Sequence, residues 1–223
     1  MSFCGVAGPV LFTAAWVISL LRQRGHPAAE LQLSGLAAED ARDPQIMIAG
    51  FVVLGVTSIV FGAGLGRVIR PRSVGPPLII VAGAATIALG VFRHDHLLLT
   101  SPGFTGESWH NQVHDVVSGV AYAAMLAAPV VLGRRFRADP DWAALSRPVE
   151  VLALGSAVAF AIFVSRVAEP QNGLVQRIAV TLPLIAEALI AARMLILRRV
   201  PSRSPTGTTG PSATGTDDHH QLS

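Results

Sequence analysis

Three groups of residues have types and spacings that could do chemistry. His110 and His114 stand four apart, which on a helix places them on one face about 40° apart, with Ser118 one turn further along. Two imidazoles at that spacing could hold a divalent metal, with Asp95, His94 or His96 completing the shell. A divalent metal is the one cofactor the sequence suggests. Without a metal, the same region reads as acid–base machinery. A histidine beside carboxylates, at the edge of a low-dielectric layer, can be tuned to exchange its proton near working pH. Asp95, His114 and Asp115 are then candidate catalytic groups, and Tyr122, seven residues beyond Asp115, extends a polar wall of the same helix. The bland reading has His114 and Asp115 capping a helix end.

Glu187 is the second group. It sits at the midpoint of an apolar run, where an ionisable side chain is expensive and marks a functional site facing the bundle interior. Either it is a protonated, buried acid with a chemical role, reached by a polar stripe from the outer surface, or it is a neutral glutamate bonded to another helix through Ser58, Thr86 or Ser156. Gln176 lies eleven residues earlier, about 20° away in rotation, with Pro183 between them on the same stripe. The third group, Ser34, Gln176 and Arg177, offers candidate substrate contacts. Arginine suits phosphate or carboxylate, although a helix-end arginine also snorkels to the interface as an anchor. Arg166 and Glu169, three apart, are expected to form an ion pair.

The elements that must position these residues follow from composition. Of 223 residues, 51% are hydrophobic and only 14% charged, with a mean hydropathy of +0.53. Soluble domains carry about 25% charged residues, so the chain has too few to cover a water-facing surface. Six apolar runs, Phe3–Leu21, Ile46–Leu65, Val74–Phe92, Val113–Leu132, Val149–Ala168 and Ile178–Leu197, each approach the length that crosses about 30 Å of hydrocarbon. An all-α bundle of six transmembrane helices is expected over residues 1–200, followed by a disordered cytoplasmic tail over 201–223, rich in Ser, Thr, Gly and Pro.

All 17 basic residues are arginine. They sit at the ends of the apolar runs, where they set orientation and do not point to nucleic acid. With both termini cytoplasmic, eleven arginines fall inside and six outside, as the positive-inside rule requires. The first run lacks a basic leader and is expected to be a retained anchor. Cys4 is the single cysteine, so no intramolecular disulfide forms. With this topology, the five histidines outside the tail all fall on the outer side.

The order of motifs resembles the bacterial integral membrane family catalogued as domain of unknown function 998. The resemblance rests on Gly5-Val6-Ala7-Gly8-Pro9-Val10-Leu11-Phe12, Leu33-Ser34-Gly35-Leu36, Asp95, His114-Asp115 and Gly173-Leu174-Val175-Gln176-Arg177, and spans roughly residues 3–197. It implies six spans in the cytoplasmic membrane and no established reaction. His94 and His96 are not part of the family's pattern.

Two functions fit. One is a membrane-embedded enzyme acting on a lipid or isoprenoid-type substrate, by proton-initiated cyclisation or head-group hydrolysis. The other is a non-catalytic sensor, accessory subunit or small transporter, although no inverted repeat or paired broken helices are evident. The implied partners are the bilayer and an apolar small molecule or lipid. The sequence sets no oligomeric state.

Overall fold

The computed structural model describes residues 1–70, 72–98 and 108–199; the expected tail therefore lies outside the described residues. Helices are the regular elements of the described residues, with no strand among them. The helices are α1 (Cys4–Arg22), α2 (Pro44–Val68), α3 (Gly75–Val91), α4 (Trp109–Phe136), α5 (Ala143–Ser165) and α6 (Asn172–Arg199), with a short 3-10 turn at Gly35–Ala37. Five are long and apolar enough to cross a membrane, whereas α3 has 17 residues and falls short of that length. The helices pack in chain order as a ring that α6 closes against α1.

Large apolar side chains face outward, including Val116, Val151, Leu154 and Val158. Helices apolar on their outer surface as well as inside suit lipid as the surrounding solvent. Small residues let the helices approach. Gly55 and Gly83 meet across the α2–α3 contact so closely that a Cβ on either would strike the other's carbonyl oxygen. Pro129 and Pro183 each remove a helical N–H. The carbonyl left unpaired by Pro183, that of Ala179, accepts a hydrogen bond from the Ser156 hydroxyl at 2.6 Å.

The interior divides into two apolar clusters. One gathers Phe12, Met47, Phe51, Leu54 and Leu184 with the loop residues Leu31, Leu33 and Leu36. The other gathers Phe61, Leu65, Leu132, Phe136, Ile190 and Met194. Ser58 and Glu187 lie between them in sequence on α2 and α6.

Arginines tie down the second end. Arg67 reaches the Met1 sulfur at 3.1 Å, Arg135 donates to the Arg70 carbonyl, and Arg193 donates to the Asp141 carbonyl at 2.7 Å.

Candidate functional site

The loop between α1 and α2 is a plug. Leu31, Leu36, Ala37 and Ala38 are fully buried, although they belong to no long helix. Backbone contacts hold the loop from two sides. From α6, the Leu174 amide donates to the Ala29 carbonyl at 2.9 Å, and Gln176 Oε1 accepts from the Leu33 amide at 2.6 Å. Arg177 donates to the carbonyls of Leu31 and Ala28, both at 2.6 Å. Gly173 lies so near Leu31 that a Cβ would overlap its carbonyl.

From the α3–α4 loop, the Leu97 amide donates to Asp40 Oδ1 at 2.6 Å, and Gly35 has no room for a Cβ against the Leu97 carbonyl. Gly173, Leu174, Gln176 and Arg177 thus each meet the loop's main chain. Arg177 is buried, with its guanidinium carbon 5.8 Å from the centroid of the Trp16 ring. Two of its five N–H donors go to loop carbonyls.

A second set of contacts joins the α3–α4 loop to the start of α4. Asp95 accepts from the Ser108 amide at 2.8 Å and the Ser108 hydroxyl at 2.6 Å, and Ser108 caps α4 by accepting from the Asn111 amide at 3.2 Å. The Ser108 side-chain bond holds the Asp95 carboxyl below the usual carboxylate range; partial burial opposes this, and the Ser108 amide and nearby histidines reinforce it. Asp95 is thus a stable anion and a poor proton donor.

His94 Nδ1 pairs with Asn111 Oδ1 at 2.5 Å, and its ring lies 4.1 Å from that of His114. Its Nε2 stands 3.8 Å from Asp115. His114 is fully buried, with Nδ1 donating to the Phe92 carbonyl at 2.6 Å and Nε2 unpartnered. It therefore ties the end of α3 to the first turns of α4.

The two imidazoles of the His110–His114 pair turn different ways. His110 is exposed and stacks on Trp109 with ring centroids 3.7 Å apart, while His114 turns inward to the Phe92 carbonyl. Among the described residues, no three His, Cys, Asp or Glu side chains group so as to hold a metal. Arg166 and Glu169 form the expected ion pair.

Glu187 is half-buried, midway along α6. Its two carboxylate oxygens stand 3.2 and 3.3 Å from the Ser58 hydroxyl. Thr86 and Ser156, the other expected partners, bond instead to the carbonyls of Ala82 and Ala179. Glu187 and Ser58 border a cavity of about 40 Å³ walled by residues such as Ile79, Leu132, Pro129 and Pro183, and Glu187 is the one ionisable group among its lining residues. A second cavity of about 40 Å³ adjoins it, the two sharing Leu54, Thr86 and Met125. Ser34, Ser118, Tyr122 and Gln176 line this upper cavity.

The structure thus brings Ser34 and Gln176 together, links Asp95 to His114 and Asp115 through His94, and sets Glu187 apart from both groups. Asn111 and Ser108 escaped the sequence reading. The signal was there, since serine just before an apolar helix is an N-cap signature.

Residues 6–193 match the family described as Protein of unknown function (DUF998). The chain belongs to this family. Within the DUF998 match, the motifs that carry the resemblance now have physical tasks: Gly173–Arg177 grips the plug between Ala28 and Leu33, and Leu33–Leu36 is buried within it. No curated protein and no solved structure matches the chain.

Proposed function

We propose that the protein is a membrane-embedded enzyme in which Glu187 donates a proton to a lipid or isoprenoid-type substrate held inside the bundle. The observation that carries this reading is a lone carboxyl on a mostly apolar cavity, partnered by the Ser58 hydroxyl and, among the lining residues, by no cation. A carboxylate without a positive partner is costly in such surroundings, so the group is carried as the neutral acid, ready to give its proton. Proton-initiated chemistry is favoured over head-group hydrolysis. Arg177 is engaged by the plug, and Asp95 is anchored to Ser108.

In this reading all six helices cross the bacterial cytoplasmic membrane with both termini inside. At 17 residues, α3 is about 26 Å long, and local thinning accommodates it.

The cavity volume favours a second reading. About 40 Å³ is room for two or three waters and not for a prenyl chain, so a substrate must part the helices, whereas a non-catalytic proton sensor need not. The experiment is a mass-spectrometric comparison of lipids and metabolites from cells carrying the wild type, no protein, Glu187→Gln or Glu187→Leu. The enzyme reading expects Glu187→Gln, at normal abundance, to reproduce the profile of cells lacking the protein. A wild-type profile from Glu187→Gln contradicts it, and identical profiles with and without the protein favour the sensor.

A further inference from the structure

Three cavities lie at and beneath the plug, the two inner ones sharing lining residues. Outermost is a groove of about 160 Å³ lined by Glu30, Gln32, Leu97, Glu169 and Asn172. Below it lies the upper cavity with Ser34, Ser118, Tyr122 and Gln176, and deepest is the Glu187 cavity. Gln32 borders the outer groove, and its neighbours Leu33 and Ser34 border the upper cavity. A single stretch of plug backbone therefore separates acidic outer groove from polar interior. Thr86 is the polar residue common to the two inner cavities.

We propose that these cavities form a hydrated route by which Glu187 exchanges its proton with the plugged side of the membrane, gated by the segment Gln32–Ser34. The inference rests on the reading of Glu187 as a proton-bearing group and adds how that group is reloaded. Its physical basis is size and lining together. Each inner cavity, at about 40 Å³, holds two or three waters, and water stays where it finds two to four polar partners. The upper cavity offers four hydroxyls, those of Ser34, Thr86, Ser118 and Tyr122, and the Gln176 amide. The route is not the single stripe on α6 that the Gln176–Pro183–Glu187 spacing suggests. Its polar groups come from the plug, α3, α4 and α6, and Ser58 of α2 meets the acid at the bottom.

Proton balance is simple. Glu187 gives its proton to the acceptor in its cavity, and a hydronium from the plugged side restores it through the waters while leaving one water behind. Gln176 is the positioning residue of the gate, because its Oε1 fixes the Leu33 amide at 2.6 Å. Blocking the route and loosening its gate should therefore have opposite signs.

The test follows the carbonyl stretch of the protonated carboxyl by infrared spectroscopy, using the full chain in lipid nanodiscs and subtracting the spectrum of Glu187→Gln. On transfer to heavy water, the shift of this band reports proton exchange at Glu187. Ser118→Leu, which fills the upper cavity, is expected to slow exchange several-fold. Gln176→Ala, which frees Leu33, is expected to speed it. Unchanged rates in both variants, or changes of the opposite sign, overturn the route, and if Ser118→Leu does not fold, the Gln176→Ala result decides alone. A wild-type sample with no such band to follow overturns the proton-bearing reading itself.

Discussion

Gln176 and Leu33, 143 residues apart in sequence, are joined by a 2.6 Å hydrogen bond from the Leu33 amide to the Gln176 side-chain oxygen. That bond places the start of α6 directly on the plug, with Arg177 holding the carbonyls of Ala28 and Leu31 just before it. The closed end of the bundle is thus built by side chains of one helix reading the backbone of one loop.

Arg177→Lys should loosen the plug. A lysine ammonium is a compact charge that does not reproduce a planar fork reaching two carbonyls. Losing one buried charge-assisted bond costs roughly 2–3 kcal/mol. A lower thermal midpoint and faster proteolytic cutting within residues 26–42 are the expected readouts.

Gly173→Ala should mimic that loss by a different cause, since its Cβ would strike the Leu31 backbone. Gly119→Ala is the matched control. A Cβ there meets nothing within 4 Å, so the helix gains about 0.5–1 kcal/mol from reduced backbone freedom. Thermal midpoints of the two variants should move in opposite directions.

Ser108→Ala should cost about 1 kcal/mol by removing the N-cap of α4. It should also release Asp95, whose carboxyl is held low mainly by the Ser108 side chain. A group depressed in the folded state stabilises above its unfolded value, about 3.9 for aspartate, and loses that contribution as pH falls through the lower folded value. Thermal midpoints measured across acid pH should therefore drop more steeply in the wild type than in Asp95→Asn.

Much of this was legible in the sequence. The six apolar runs became six helices because lipid-exposed backbone must satisfy itself within each segment, and run length reports that directly. Glu187 stood out because one charge in twenty apolar residues has no cheap explanation, and Ser58 was among its expected partners. Arg177 was harder. Spacing shows that an arginine lies at a helix end, but not that a loop more than 140 residues away folds back to offer it carbonyls. The orientation of the His110–His114 pair was hidden for a related reason. Helical spacing fixes a shared face, whereas the Trp109 ring and the Phe92 carbonyl decide which way each imidazole turns.

His114 offers a test of structural against chemical use. Its Nδ1 donates to the Phe92 carbonyl, while Nε2 has no partner. Asparagine places an N–H near the Nδ1 position, so His114→Asn should keep most of the stability that His114→Ala loses. If His114→Asn folds normally yet abolishes the lipid or metabolite change, the free Nε2 takes part in the chemistry.

The most direct measurement is the infrared difference spectrum of wild type minus Glu187→Gln at neutral pH, in a bilayer. A neutral acid beside Ser58 predicts a carbonyl stretch of a protonated carboxyl that the variant lacks. A difference spectrum containing only ionised carboxylate stretches would show Glu187 as an anion, and the deep proton donor would be wrong.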